Sequence, residues 1–150
     1  MHIIVPLAGP DYFQGSIPKG LEPAFDGSPQ LYHTLNSRIW SENKSNEYTF
    51  ILYDCDSSRD FAKRYLSEWF VSSNFIFLSK YTEGAALSAI SAICFHKLAK
   101  DDPLIFDLAD IYFETEYFPD FENKFFDTSF LSYSFKSNKE IYSYYQIEDE

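Results

Sequence analysis

His2-Ile3-Ile4-Val5-Pro6-Leu7-Ala8-Gly9 is apolar from Ile3 to Leu7 with no polar alternation, and it ends in glycine. A strand buried on both faces has that pattern, whereas a half-solvated strand alternates. The pattern returns at residues 48–53, 75–78 and 104–108, each read as a further strand. The intervening segments carry helical spacing. Ser28-Pro29 is a helix start, with Ser as N-cap and Pro at the first helical position. Leu31, Leu35 and Ile39 then recur every four residues beside Tyr32 and Trp40, marking one buried helical face. Ser57 and Asp60 form a capping box for a helix running to about Phe70, with Phe61, Tyr65, Leu66 and Trp69 on its core side. Thr82 caps the next helix, in which Ala85, Ala86, Ala89, Ala92 and Ala99 are small and Leu87, Ile90, Ile93 and Leu98 are large. Apolar on most sides, that helix is expected to be buried. Residues 117–128 read as a helix, 130–135 and 141–147 as a last pair of strands, and Glu148-Asp149-Glu150 as a solvated acidic end.

Strands separated by helices require crossover connections and hence a mainly parallel sheet. The expected fold class is therefore α/β, in one domain over residues 1–150. Ligands of such sheets sit beyond the carboxyl ends of the strands. That edge gathers the loop 9–27, Asp54 and Asp56, the turn 80–84, and Asp107 with Asp110.

Composition narrows the function classes. With 45% hydrophobic and 20% aromatic residues, the chain of 150 residues can bury a full core, which excludes disorder. A formal net charge of −11 repels a nucleic-acid backbone and an anionic membrane surface. A phosphorylated small molecule stays compatible, because a local cationic pocket or Mg²⁺ overrides the mean field. Cys55 and Cys94 lie in unrelated segments without CxxC spacing, as expected of reduced, partly buried thiols in a cytoplasmic protein. The N-terminus lacks the basic region and cleavage site of a signal peptide. The longest greasy stretch, residues 85–95, is too short to span a bilayer. His2, His33 and His96 sit on three different elements, so zinc spacing is absent. No GxSxG or complete P-loop occurs.

Three places carry candidate chemistry. Asp107 and Asp110 follow an apolar strand, where carboxylates can hold Mg²⁺ together with substrate phosphates; aspartate is also common at strand ends for turn reasons alone. Asp110 is the favoured ligand. Lys19 is the one cation between Met1 and Arg38 and sits among glycines, where it can reach a phosphate or simply be solvated. Thr82-Glu83-Gly84-Ala85 opens a helix at the ligand edge, with free N–H groups and a glycine that admits close approach, features shared by any capped helix.

Taken in order, these segments resemble the sugar-phosphate nucleotidylyltransferases, whose fold is similar to the GT-A glycosyltransferases. Ile4-Val5-Pro6-Leu7-Ala8-Gly9 resembles the strand and glycine that begin the family signature. The stretch from Lys19-Gly20-Leu21 through Gly27-Ser28-Pro29 resembles its lysine, Leu/Pro and Gly-x-Pro region. Thr82-Glu83-Gly84-Ala85-Ala86 and Ile105-Phe106-Asp107-Leu108-Ala109-Asp110 resemble its base-binding turn and metal-aspartate strand. The resemblance implies a three-layer α/β/α fold, truncated on the C-terminal side. It implies an enzyme that joins a nucleoside triphosphate to a sugar phosphate or similar acceptor and releases pyrophosphate, in surface-glycan or capsule precursor synthesis. Lys19 would be the catalytic cation. Leu7, Ala8, Gly9, Thr82, Gly84 and Ala85 would line the nucleotide, and Asp110 would hold Mg²⁺.

Two departures accompany it. The family reads Gly-x-Gly-x-Arg after the first strand, where this chain has Gly9-Pro10-Asp11-Tyr12-Phe13. Asp11 replaces a glycine whose N–H faces phosphate, and Phe13 stands near the arginine position. The chain also stops before the family's second basic residue and second metal carboxylate. Two other readings therefore stand beside the enzyme: a degenerate relative serving as a binding or interaction module, and a GT-A-like glycosyltransferase domain that takes a sugar nucleotide. Tyr142, Tyr144 and Tyr145 form an aromatic ladder suited to a homodimer face or to a half-buried strand.

Overall fold

The structure is a computed structural model that describes residues 1–10, 12, 17–43, 45–82, 84–96 and 104–112. These belong to one compact unit, Met1–Tyr117. The expected helix over 117–128, the strand pair at 130–135 and 141–147, the Tyr142 ladder, and residues Asp11, Phe13 and Glu83 lie outside the described residues.

The expected parallel α/β architecture is present. Strands β1 (His2–Pro6), β2 (Glu47–Tyr53), β3 (Ser73–Leu78) and β4 (Leu104–Phe106) form a four-stranded sheet in the order β3-β2-β1-β4. All neighbouring pairs are parallel. The two middle strands are the most apolar: Ile3, Val5, Phe50, Ile51 and Leu52 are fully buried. β4 is shorter than the 104–108 expected. Asp107 makes the last ladder bond, its N–H donating to the Ile4 carbonyl at 3.0 Å, and its side chain then turns away into an ion pair described below.

Helices α1 (Gln30–Asn36), α2 (Asp56–Phe61), α3 (Ser67–Trp69) and α4 (Ala85–His96) fill the connections. A π-helical turn, Ala62–Leu66, joins α2 to α3, so helix runs nearly to Phe70 as the periodicity requires. On the sheet face that carries Phe50 and Phe75, the Phe50 ring lies 5.3 Å from Phe70 and stacks at 6.1 Å on Phe75. Residues of opposite register, Ile4 and Ile51, pack against Ala89 and Ala92 of α4.

Four local expectations change. Pro29, not Ser28, occupies the N-cap position of α1; the Ser28 hydroxyl instead donates to Asp26 Oδ1 at 2.6 Å, an Asx-type turn that competes with capping. α1 ends at Asn36, and Ile39–Glu42 forms a separate 3₁₀ turn, leaving Ile39 and Trp40 half-buried while Leu31 and Leu35 are buried. The capping box of α2 uses Cys55 and Ser58, not Ser57 and Asp60, and the helix begins two residues earlier than that box implied, at Asp56. Thr82 does not bond the first turn's N–H groups; its hydroxyl pairs with the Ser88 hydroxyl and the Gly84 carbonyl.

α4 itself is not an enclosed helix. Ser88, Ala89 and Ala92 are buried, whereas Leu87, Ile90 and Phe95 are 48%, 52% and 65% exposed. Ala89 and Ala92 face the sheet because methyl groups let the helix backbone close on Ile4 and Ile51 at interior density; Leu87, Ile90 and Phe95 project outward, while Ile93 packs half-buried against the same cluster. Cys55 and Cys94 are free thiols, and Cys94 is exposed, not partly buried. Among the described residues no helix is long and apolar enough to cross a membrane.

The packing of α4 predicts an inverted hydrophobic response. Ala92→Leu should lose about 1–3 kcal/mol by overpacking, while Ile90→Gln on the outer face should stay within about 0.5 kcal/mol. Urea unfolding of the two variants checks this; equal losses would show that α4 buries its large residues after all.

Candidate functional site

Strand order sets where a crevice opens. From β1 the chain steps outward to β2 and then β3, and afterwards returns to the other side of β1 for β4. Strand order thus reverses between β1 and β4, and the carboxyl edge between them is the topological switch point of the described sheet, the usual ligand crevice of an open α/β sheet. Residues after β1 and after β4 stand there.

On the β1 side, Leu7 is still held to the sheet, its N–H donating to the Ile51 carbonyl at 2.7 Å. Leu7 and Ala8 are buried, so a ligand meets their backbone rather than their side chains. Gly9 is exposed, and a Cβ added there would meet nothing within 4 Å, so internal packing does not demand glycine. Tyr12 N–H donates to the Gly9 carbonyl at 3.2 Å, and Lys19 N–H donates to the Tyr12 carbonyl at 3.0 Å. Lys19 is thereby tied through Tyr12 to the Gly9 turn, with its side chain exposed. The Tyr12 ring lies 6.2 Å from Phe61, and burial pushes its phenol well above the ordinary value. It also explains Gly20: any Cβ there would strike the Tyr12 hydroxyl and stand 3.0 Å from Leu31 Cβ.

On the β4 side the expected pair of metal carboxylates is not a pair. Arg38 Nε donates to Asp107 Oδ2 at 2.8 Å and Nη2 to Oδ1 at 3.0 Å. The two side chains are only 2% and 4% exposed. Nη2 also donates to the Ile111 carbonyl at 2.9 Å, and Ala109 N–H donates to Asp107 Oδ1 at 2.9 Å. A planar guanidinium fork occupies both carboxylate oxygens, which removes Asp107 as a metal ligand. Asp110 is exposed on the same turn. Among the described residues no group of three or more His, Cys, Asp and Glu could hold an ion. The donor set therefore does not fit a Mg²⁺ caged by protein alone. A Mg²⁺ held through a single carboxylate would need waters and substrate phosphates for its remaining ligands.

Arg38 was missed in the sequence because its partner is 69 residues away. One signal existed: Arg38 lies between the apolar residues Leu35 and Ile39, and a cation among apolar neighbours calls for a partner.

The remaining candidates follow β2 and β3. Asp54 is paired with Arg59 at 2.7 Å, the Arg59 guanidinium lying 4.5 Å over the Phe77 ring, and Asp56 opens α2. Gly84 has φ +114°, which a side chain would strain, and is exposed at the start of α4 beside the exposed Ala85. Tyr53 and Tyr81 stack nearby, 4.1 Å apart. β3 is two strands from β1 and three from β4, or roughly 10 and 14 Å at the usual spacing. The fold thus gathers Leu7, Ala8, Gly9 and Lys19 into one loop and sets Asp110 on the adjoining strand's turn. Thr82, Gly84 and Ala85 lead from β3 into α4, which packs over β1 and β2 through Ala89 and Ala92.

The buried pair makes two predictions. Arg38→Met should cost about 3–5 kcal/mol by leaving Asp107 charged and unpaired, and adding Asp107→Leu should restore most of it; denaturant unfolding of single and double variants reads the difference. Tyr48 is buried and its hydroxyl has no hydrogen-bond partner. Burial and then the Asp107 charge push its phenol up to about 12, against a smaller opposing effect of Arg38. A raised folded value means the unfolded chain loses this proton first. Tyr48 thus contributes stability that is intact below about pH 10 and lost as pH rises towards 12. Tyr48→Phe should flatten the alkaline fall in stability, measured by urea midpoints between pH 9 and about 11.5; an unchanged slope would assign the fall elsewhere.

Comparison with protein-family models, with curated proteins and with solved structures found no match to this chain.

Proposed function

We propose that the β1–β4 edge binds the phosphates of a nucleoside triphosphate, and that the chain is a nucleotidylyltransferase-like domain of the GT-A-like, three-layer class. The acceptor is a sugar phosphate or similar phosphorylated small molecule, in a cytoplasmic step of surface-glycan or capsule precursor synthesis. The observation that supports this reading best is the switch point itself, with the Gly9–Lys19 loop on one strand and the Asp110 turn on its neighbour.

In this reading the backbone at Leu7, Ala8 and Gly9 lies along the triphosphate, and the open space at Gly9 admits it. Lys19 neutralises charge that builds on the phosphates during in-line displacement, the role a positioned ammonium serves in phosphoryl transfer. Thr82, Gly84 and Ala85 border the base. Mg²⁺, when bound with the nucleotide through Asp110, supplies Lewis-acid charge neutralisation. Asp107 takes no part in binding, because Arg38 holds it.

That last point favours a second reading. With Asp107 withdrawn, Asp110 stands alone on its turn, which suits a module that binds a nucleotide without transferring it. A glycosyltransferase using both carboxylates of this edge is correspondingly disfavoured.

A thermal-shift titration with CTP, UTP, GTP, ATP and dTTP, each with and without Mg²⁺, tests the reading. One triphosphate at a hundredfold excess over its Kd should stabilise the protein by about 2.7 kcal/mol. Asp110→Asn should abolish the Mg²⁺-dependent part, and Lys19→Ala should weaken triphosphate more than nucleoside binding. Pyrophosphate release with a sugar phosphate separates enzyme from module. If no nucleotide shifts the wild-type protein, the proposal fails.

A further inference from the structure

The turn after β4 is unusually constrained for an exposed edge. Ala109 has φ +57°, and among the described residues it is the one non-glycine in the left-handed region. Such a conformation is disfavoured for an alanine and persists only where the surroundings over-determine it. Here they do. Asp107 Oδ1 accepts the Ala109 N–H at 2.9 Å, so the acid closes the turn on itself. Arg38 grips that acid with two donors and reaches on to the Ile111 carbonyl at 2.9 Å, spanning the turn from its first residue to its fifth. The next residue is pinned as well: the Tyr112 ring packs 4.8 Å from His33 and 5.7 Å from Phe25. Asp107 and Ala109 point inward and are buried, while Leu108 and Asp110 point outward. A simple strand-to-loop exit needs none of this.

We propose that Arg38 is a positioning residue: through Asp107 it holds the strained Ala109 turn and thereby fixes where Asp110 stands at the β1–β4 edge. The inference rests on the nucleotide reading above for what Asp110 meets, but not for the rigidity of the turn. The fork matters more than the charge, since a lysine ammonium cannot hold two carboxylate oxygens and a carbonyl in one plane. Arg38→Lys therefore keeps the buried charge balance and loosens the turn. Ala109→Gly relieves the backbone strain and widens the conformations open to Asp110 while leaving the ion pair intact.

The test joins two readouts on the full chain. Amide hydrogen exchange should quicken at least tenfold at residues 108–111 in Arg38→Lys, with β1 and β2 unchanged. With the triphosphate that binds wild type in the titration above, Arg38→Lys and Ala109→Gly should each weaken the Mg²⁺-dependent affinity at least fivefold. Mg²⁺-free nucleotide affinity should be kept, a split that general destabilisation does not produce. Should Arg38→Lys fail to fold, the Arg38→Met/Asp107→Leu double variant replaces it, with the same expected exchange and the same split. Unchanged exchange at 108–111 in a folded variant overturns the positioning role. So does a loosened turn with full Mg²⁺-dependent affinity. If no triphosphate binds wild type, the nucleotide reading falls, and the exchange result alone decides whether Arg38 holds the turn.

Discussion

A guanidinium and a carboxylate, both almost wholly withdrawn from water, tie the end of α1 to the end of β4. Arg38 and Asp107 come from segments far apart in the chain, and their fork geometry leaves each charge compensated. Desolvating two ions is expensive, and an apolar pair of similar volume often serves stability as well or better. What the ion pair adds is direction. It determines where β4 stops, turns Asp107 inward and makes the next residues follow one path. The exit of β4 is thus held by an electrostatic contact beside the buried Ile105 and Ala109.

That contact also sorts the carboxylates of the edge into different roles. Asp107 is structural, Asp54 neutralises Arg59 at the surface, and Asp110 is left to solvent. Burial and pairing, not residue type, make the distinction. The β1 loop follows a parallel logic with apolar means. Tyr12 is half-buried beside Phe61 with its hydroxyl enclosed, Gly20 has no side chain because the Tyr12 ring fills that space, and Lys19 is held by its backbone while its ammonium stays in water. On both sides of the switch point a buried anchor stands beside an exposed functional candidate.

Much of the fold was legible in the chain. Unbroken apolar runs named the four strands of the sheet, and helical spacing between them required parallel pairing. Boundaries were less legible, because capping depends on which hydroxyl wins a local competition: Asp26 captured Ser28, and Ser58 rather than Ser57 answered Cys55. The character of α4 was misread for a related reason. A helix made of alanine and large aliphatic residues shows no polar face, so periodicity could not tell which side met the sheet. Close packing decided it in favour of the small side.

By itself, the amino-acid sequence determined the element order, the parallel class and the set of polar residues available at the strand ends, since each depends on local pattern and chain connectivity. It could not determine strand order, and so could not say that the β1 and β4 exits adjoin. It favoured Asp110 over Asp107 as a ligand but could not show that Asp107 is buried and paired, since the two acids are three residues apart with the same chemistry. Only the tertiary structure did that, because a carboxylate's role is set by what reaches it through space, and Arg38 reaches one and not the other.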